Sequence, residues 1–282
     1  MAAAGAAAGA LLLAGCVTTA SAPHPAQLAP GDRYVALGSS FAAGSGFGPT
    51  QPGSGRCNRS VANYASLLAE RLHLTLDDRS CGGATTAHVI GPWGELPPQI
   101  EGVTAATRLV TITIGGNDLG YAGNLIGASC AAGSGMTFGG RTFPCPPVRL
   151  PVEADFVRLE ANLREIATQV KARAPGARLV FVQYVRLVPD TPCAATALRP
   201  DTVAVLRGNG ERLAAITARV AAQTGAMLLP TDKLSRHHTA CDAVPWSTGL
   251  APGYDVKLGA PWHPTATGHA AIAAALAAKL GG

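Results

Sequence analysis

The sequence predicts an α/β domain, a three-layer α/β/α sandwich built on a five-stranded parallel sheet. Three observations carry this reading. Short apolar runs with strand character recur along the chain, and segments with helical spacing lie between them. The middle run, Leu109 to Ile114, is almost wholly apolar or β-branched, as a strand covered on both faces requires. Alternating strands and helices imply parallel pairing through right-handed crossovers.

The elements follow in order. A first strand from Tyr34 ends abruptly in Gly38-Ser39-Ser40, and residues 44–58 read as a Gly- and Pro-rich loop. Val61 to Leu72 has helical spacing, with Tyr64, Leu67, Leu68 and Leu72 on one face, and Thr75 to Ser80 is a short second strand. From Thr86 the chain passes through Gly91-Pro92-Trp93-Gly94 and Pro97-Pro98, which argues against a long helix. Leu109 to Ile114 is the third strand, expected at the centre of the sheet, and Tyr121 to Pro151 reads as one long loop. Val152 to Ala174 carries a buried stripe of Phe156, Leu159, Leu163, Ile166 and Val170, and Pro175-Gly176 stops it. Arg178 to Val185 is a fourth strand, Thr202 to Thr224 a helix, Ala226 to Leu229 a fifth strand, and Pro264 opens a last helix to about Leu280. This is the flavodoxin-like arrangement, in which ligands bind outside the carboxyl ends of the strands.

Composition narrows the function. With 282 residues, 48% of them apolar, the chain can bury a sizeable core in one domain, placed at 32–282. The net charge of +5 comes from scattered Lys and Arg with few aromatics, which argues against nucleic-acid binding. The absence of Cys-x-x-Cys and the dispersed histidines argue against a metal site. Gly44-Ser45-Gly46-Phe47-Gly48 has the wrong spacing for a dinucleotide loop, so no cofactor is expected, and no Gly-x-Ser-x-Gly elbow occurs.

Residues 1–15 are too few for a transmembrane helix and lead into Leu13-Ala14-Gly15-Cys16, which resembles a bacterial lipobox. Residues 1–15 then form a signal peptide that carries no Lys or Arg, Cys16 is lipidated, and 16–31 is an Ala-, Ser-, Thr- and Pro-rich tether to the membrane. The alternative is cleavage after Ala22, which gives a soluble secreted protein. Assigning Cys16 to lipid leaves six cysteines, an even set suited to three disulfides in an oxidising compartment, with fifteen pairings open to sequence alone.

Four short blocks carry the chemistry: Gly38-Ser39-Ser40-Phe41 after the first strand, Cys81-Gly82-Gly83-Ala84 after the second, Gly115-Gly116-Asn117-Asp118 after the third, and His263-Pro264-Thr265 at the last helix. In that order, and over nearly the whole chain from Arg33 onward, they resemble the SGNH or GDSL hydrolases. The resemblance implies an exported serine esterase or lipase, a monomer acting on an ester or lipid through an acyl-serine intermediate. It aligns Ser40 with the nucleophile, Ser39 with the motif's aspartate and His263 with the general base. The family's usual acid, three residues before the histidine, is replaced here by Ala260, whose main-chain carbonyl is expected to hold the imidazole; Asp255 is the alternative. The oxyanion donors implied are the Ser40 and Gly83 N–H groups and the Asn117 amide, with Gly82 as the neighbouring rival of Gly83 and Asp118 fixing the loop. The implied disulfides join neighbours: Cys57–Cys81, Cys130–Cys145 and Cys193–Cys241. The 121–151 loop would either rim the acyl pocket or form a plain surface excursion. His269 and the pair His237-His238 have no motif behind them, and packed or solvated roles are expected. Two other readings stay open: a catalytically silent envelope binding protein on the same scaffold, and an acyltransferase.

Overall fold

The structure, a computed structural model, describes residues 1–5, 27–130, 136–138 and 141–281. Most of the expected signal peptide, Cys16, the alternative cleavage point at Ala22 and the tether as far as residue 26 lie outside the described residues.

In chain order the elements are β1 (Arg33–Gly38), α1 (Ser40–Ala43), α2 (Tyr64–Leu72), β2 (Thr75–Asp78), α3 (Thr86–Ile90), β3 (Thr107–Thr113), α4 (Tyr121–Ser129), β4 (Met136–Phe138), β5 (Arg141–Phe143), α5 (Glu153–Arg173), β6 (Arg178–Val182), α6 (Pro200–Thr224), β7 (Met227–Leu229), α7 (Thr231–Leu234) and α8 (Ala266–Leu280). Five strands form one parallel sheet in the order β2-β1-β3-β6-β7. The chain therefore leaves β1 toward one edge of the sheet and, after β3, runs toward the other. Right-handed crossovers then place the helices of the two legs on opposite faces. Packing agrees: α2 lies against α8, while α3 packs on α5, α5 on α6 and α6 on α4. The reversal puts a crevice at the carboxyl ends of β1 and β3, the ligand position of such sheets.

The core is where periodicity placed it. Tyr34 to Leu37, Leu109, Val110 and Ile112 are buried, as is the α5 stripe of Phe156, Leu159, Leu163, Ile166 and Val170. Helix ends follow local chemistry. Asn63 caps α2 by accepting from Ser66 N, Pro200 opens α6, and Thr265 caps α8 by accepting from Gly268 N, so that helix starts at Ala266 instead of Pro264. The three disulfides join Cys57 to Cys81, Cys130 to Cys145 and Cys193 to Cys241.

One expectation is corrected. The stretch from Tyr121 to Pro151 is not an unstructured loop: it holds α4 and the antiparallel hairpin of β4 and β5. Tyr121, Ala122 and Leu125 of α4 are buried, and the Tyr121 hydroxyl lies over Gly210 of α6, where a Cβ would come within 2.2 Å of it. One of the glycines that make this stretch read as loop serves close packing. At Gly127 a Cβ would meet Pro146 O at 2.6 Å.

Candidate active site

The crevice begins with Gly38. Its φ of +141° is open to glycine, and a Cβ there would fall 2.5 Å from Thr113 O, so only a bare backbone lets β1 end against β3. Ser39 is extended and fully buried, and the chain then folds at Ser40 into the four-residue α1, closed by Gly44 in the left-handed region. Backbone hydrogen bonds stitch the neighbouring blocks to this turn: Ser39 N donates to Thr113 O at 3.0 Å and Cys81 N to Gly38 O at 3.0 Å. The Gln99 amide closes the other side, accepting from Gly38 N at 2.8 Å and donating to Gly38 O at 3.0 Å.

Against this turn stands His263. Its Nε2 lies 2.8 Å from Ser40 Oγ, and its Nδ1 lies 2.8 Å from Pro261 O. A carbonyl oxygen only accepts, so Nδ1 carries the proton and Nε2 is left to accept from the Ser40 hydroxyl. Burial pulls the imidazole down to about 4, and the hydrogen bond to Pro261 opposes that shift. The ring is therefore neutral, and basic at Nε2, throughout the neutral range. Phe41 packs against it, with ring centroids 4.5 Å apart.

The carbonyl is not the expected one. Ala260 O accepts from Thr248 Oγ1 at 3.0 Å, and Pro261 faces the ring instead. The reason is Trp262, which is fully buried and adopts a left-handed φ of +58°. That reversal turns the chain back so that the carbonyl two residues before His263, not three, meets Nδ1. Asp255 accepts from Lys257 N within its own turn and has no bond to the imidazole.

The three expected oxyanion donors come from loops that the structure ties together. Ser40 N is at the first position of α1 and Gly83, with φ of +85°, sits in the turn after Cys81; neither N–H has an acceptor among the described residues. A Cβ on Gly83 would lie 3.2 Å from the Trp93 ring. Gly82, its rival, donates to Cys57 O at 3.0 Å, so its N–H is occupied. Asn117 Nδ2 donates one hydrogen to Ala84 O at 2.8 Å and keeps a second. Asp118 accepts from Thr86 N at 3.0 Å and from the Thr86 hydroxyl, which locks the Asn117 loop to the Gly83 turn.

Tyr184, which sequence reasoning did not single out, reaches the same place from just beyond β6. Gly116 N donates to its hydroxyl at 2.9 Å, and Ser39 Oγ lies 3.0 Å from it. Its one sequence signal is a polar aromatic at the end of an apolar strand. The three histidines without a motif have surroundings of their own. His269 is buried under Phe47 and accepts from Tyr64 N at 3.1 Å, and burial pulls it down to about 3; His238 stacks on Trp246 and His237 is exposed. Among the described residues no group of three or more His, Cys, Asp or Glu side chains is placed to hold a metal ion, and no helix is long and apolar enough to cross a membrane.

A neutral imidazole on a serine hydroxyl, beside free N–H groups, can generate an alkoxide and receive an oxyanion. Comparison with known proteins points the same way. The family model described as GDSL-like Lipase/Acylhydrolase matches residues 36–271. Lipase 2 of Streptomyces coelicolor is 35% identical over 260 residues, which cover 88% of this chain and 86% of that protein. Among solved structures, the extracellular lipase of Streptomyces rimosus superposes with a TM-score of 0.68 at 26% identity, covering 87% of this chain and 98% of that one. Phospholipase A1 of Streptomyces albidoflavus gives a TM-score of 0.67 at 26% identity, covering 88% and 99%.

Proposed function

The chain belongs to the GDSL-like lipase/acylhydrolase family, and on that premise we propose that it is an exported carboxylic ester hydrolase that works through an acyl-Ser40 intermediate. Ser40 Oγ attacks the ester carbonyl carbon while its proton passes to His263 Nε2. The carbonyl electrons move onto oxygen, which takes hydrogen bonds from the Ser40 and Gly83 N–H groups and the free Asn117 amide hydrogen. Collapse breaks the bond to the alcohol oxygen, and Nε2 returns the proton to it. Water then attacks the acyl-enzyme by the same route, releasing the acid and restoring Ser40. Through both steps Pro261 O keeps the proton on Nδ1 and supports the transient imidazolium with a dipole in place of a full charge.

One observation carries this reading: the 2.8 Å contact between Ser40 Oγ and His263 Nε2, made by residues 223 apart in sequence. It also favours an enzyme over a silent binding protein, since a serine kept only for folding has no need of a neutral base aimed at its hydroxyl. Three disulfides, together with an extracellular lipase among the similar structures, support export. Within that reading residues 1–15 are the signal peptide, Cys16 carries the lipid anchor, 16–31 is the tether and 32–282 the catalytic domain, which acts as a monomer. The lipase and phospholipase A1 among its relatives support a lipid ester as substrate.

The test is turnover of p-nitrophenyl esters from short to long acyl chains, with Ser40→Ala and His263→Ala as controls, and labelling by a fluorophosphonate. Labelling and turnover that vanish in Ser40→Ala are expected. Folded wild-type protein that neither labels nor turns over would refute the assignment, and release of acylated acceptor alcohols in place of free acid would make the enzyme a transferase.

A further inference from the structure

The crevice loops are held from beneath by one phenol. Tyr184 is buried, and its ring presses on Gly116, where a Cβ would come within 2.6 Å of it. Its hydroxyl takes the Gly116 N–H at 2.9 Å and lies 3.0 Å from Ser39 Oγ, which in turn lies 3.5 Å from Thr113 O. An N–H only donates and a carbonyl only accepts, so one set of directions satisfies every group: Gly116 N–H to Tyr184, Tyr184 O–H to Ser39, Ser39 O–H to Thr113 O. This chain joins the residue before Ser40 to the residue before Asn117.

We infer that Tyr184, acting through Ser39 and Gly116, is a positioning residue that sets the Ser40 N–H and the Asn117 amide in register as oxyanion donors. The inference rests on the reading of Ser40 as nucleophile. The peptide that carries the Ser40 N–H has Ser39 on its other side, and the peptide that leads into Asn117 comes from Gly116. Gly115 and Gly116 have no side chains to pack, and Gly115 sits at φ of +105°, so this loop depends on hydrogen bonds for its shape. Asn117 and Asp118 tie it to the Gly83 turn, and Tyr184 ties it to the nucleophile turn. The same ring packs on Phe41 at 4.3 Å between centroids, and Phe41 packs on His263. Serine, standing where the family motif has aspartate, makes this a tie without formal charge.

Tyr184→Phe keeps the ring and deletes the hydroxyl. Because a displacement of about 1 Å in a reacting site can cost about 10²-fold, kcat for p-nitrophenyl acetate is expected to fall roughly 10- to 100-fold. KM should stay within about threefold, since the lost interaction acts in the transition state, and the rate of fluorophosphonate labelling should fall with kcat. The pH at which kcat/KM falls to half on acidification should not move, because the Ser40–His263–Pro261 contacts remain. Ser39→Ala breaks the same chain from its other end, and the double variant should be no slower than the slower single one. Tyr184→Phe with wild-type kcat and labelling rate, at whatever melting temperature, overturns the inference, as do losses that multiply in the double variant. Should Tyr184→Phe fail to fold, Ser39→Ala decides alone: a kcat loss at constant KM supports the inference and unchanged kcat overturns it. Wild-type protein that does not label removes the nucleophile reading and this inference together; wild-type labelling with unaffected variants removes the inference only.

Discussion

Acidification tests the proposed site most directly, because among the described residues His263 has a carbonyl and no carboxylate on Nδ1. His263 is buried, its Nδ1 held by the Pro261 carbonyl, and it is pulled down to about 4 from an ordinary 6.5. If catalysis needs the neutral ring, kcat/KM follows the neutral fraction in the free enzyme. At pH 5 a ring at 4 is about 90% neutral, whereas an ordinary imidazole is about 3% neutral. The expected profile is therefore flat from neutrality to pH 5, with a single limb whose midpoint lies near 4. Stability runs alongside and must be separated from it. The unfolded chain binds the proton first, so the stabilising contribution is complete above pH 6.5 and is lost as pH falls toward 4 for His263 and 3 for His269. Both rings act in the same direction, so stability declines steadily as pH falls across these windows. The assay is initial rates on a short p-nitrophenyl ester from pH 3.5 to 8, with product read after quenching to alkaline pH and near-UV circular dichroism in the same buffers. A midpoint between 6 and 7 in folded protein would show that the imidazole is not desolvated as the structure has it, and the reasoning would fall.

Other substitutions probe single contacts. Asn117→Ala removes one of the proposed oxyanion donors and should lower kcat about 10²- to 10³-fold with little change in KM, read by steady-state kinetics. Asp255→Asn should leave kcat/KM within about twofold of wild type, because that carboxylate caps its own turn and does not touch the imidazole. Gly38→Ala places a methyl 2.5 Å from Thr113 O and 2.8 Å from Ala42 Cβ at a φ of +141°, and should cost at least about 3 kcal/mol in a denaturant titration.

Much of this was legible in the chain. A parallel strand buried on both faces reads as an unbroken apolar run, so β1 and β3 and the glycine turns at their ends stand out. The α5 stripe was equally plain, because 3.6-residue spacing survives any tertiary context. What escaped depended on dihedrals or on distant partners. The step from Ala260 to Pro261 follows from the left-handed Trp262, a conformation rare enough for a large residue that no spacing rule anticipates it. Helix α4 was hidden because Gly123 and Gly127 weaken its propensity, while α6 and the 146–148 segment pack close against it. Tyr184 was invisible for a simpler reason. Its partners, Ser39 and Gly116, lie 145 and 68 residues away.

The bridge from Cys57 to Cys81 ends two residues short of Gly83, and Gly82 N is bonded to Cys57 O, so the turn that presents the Gly83 N–H is fastened to the covalent staple. Thiol chemistry and ester chemistry are thereby linked. On the proposed mechanism, a chain with this bridge reduced would keep Ser40 against His263 but would present the Gly83 N–H from a slack turn.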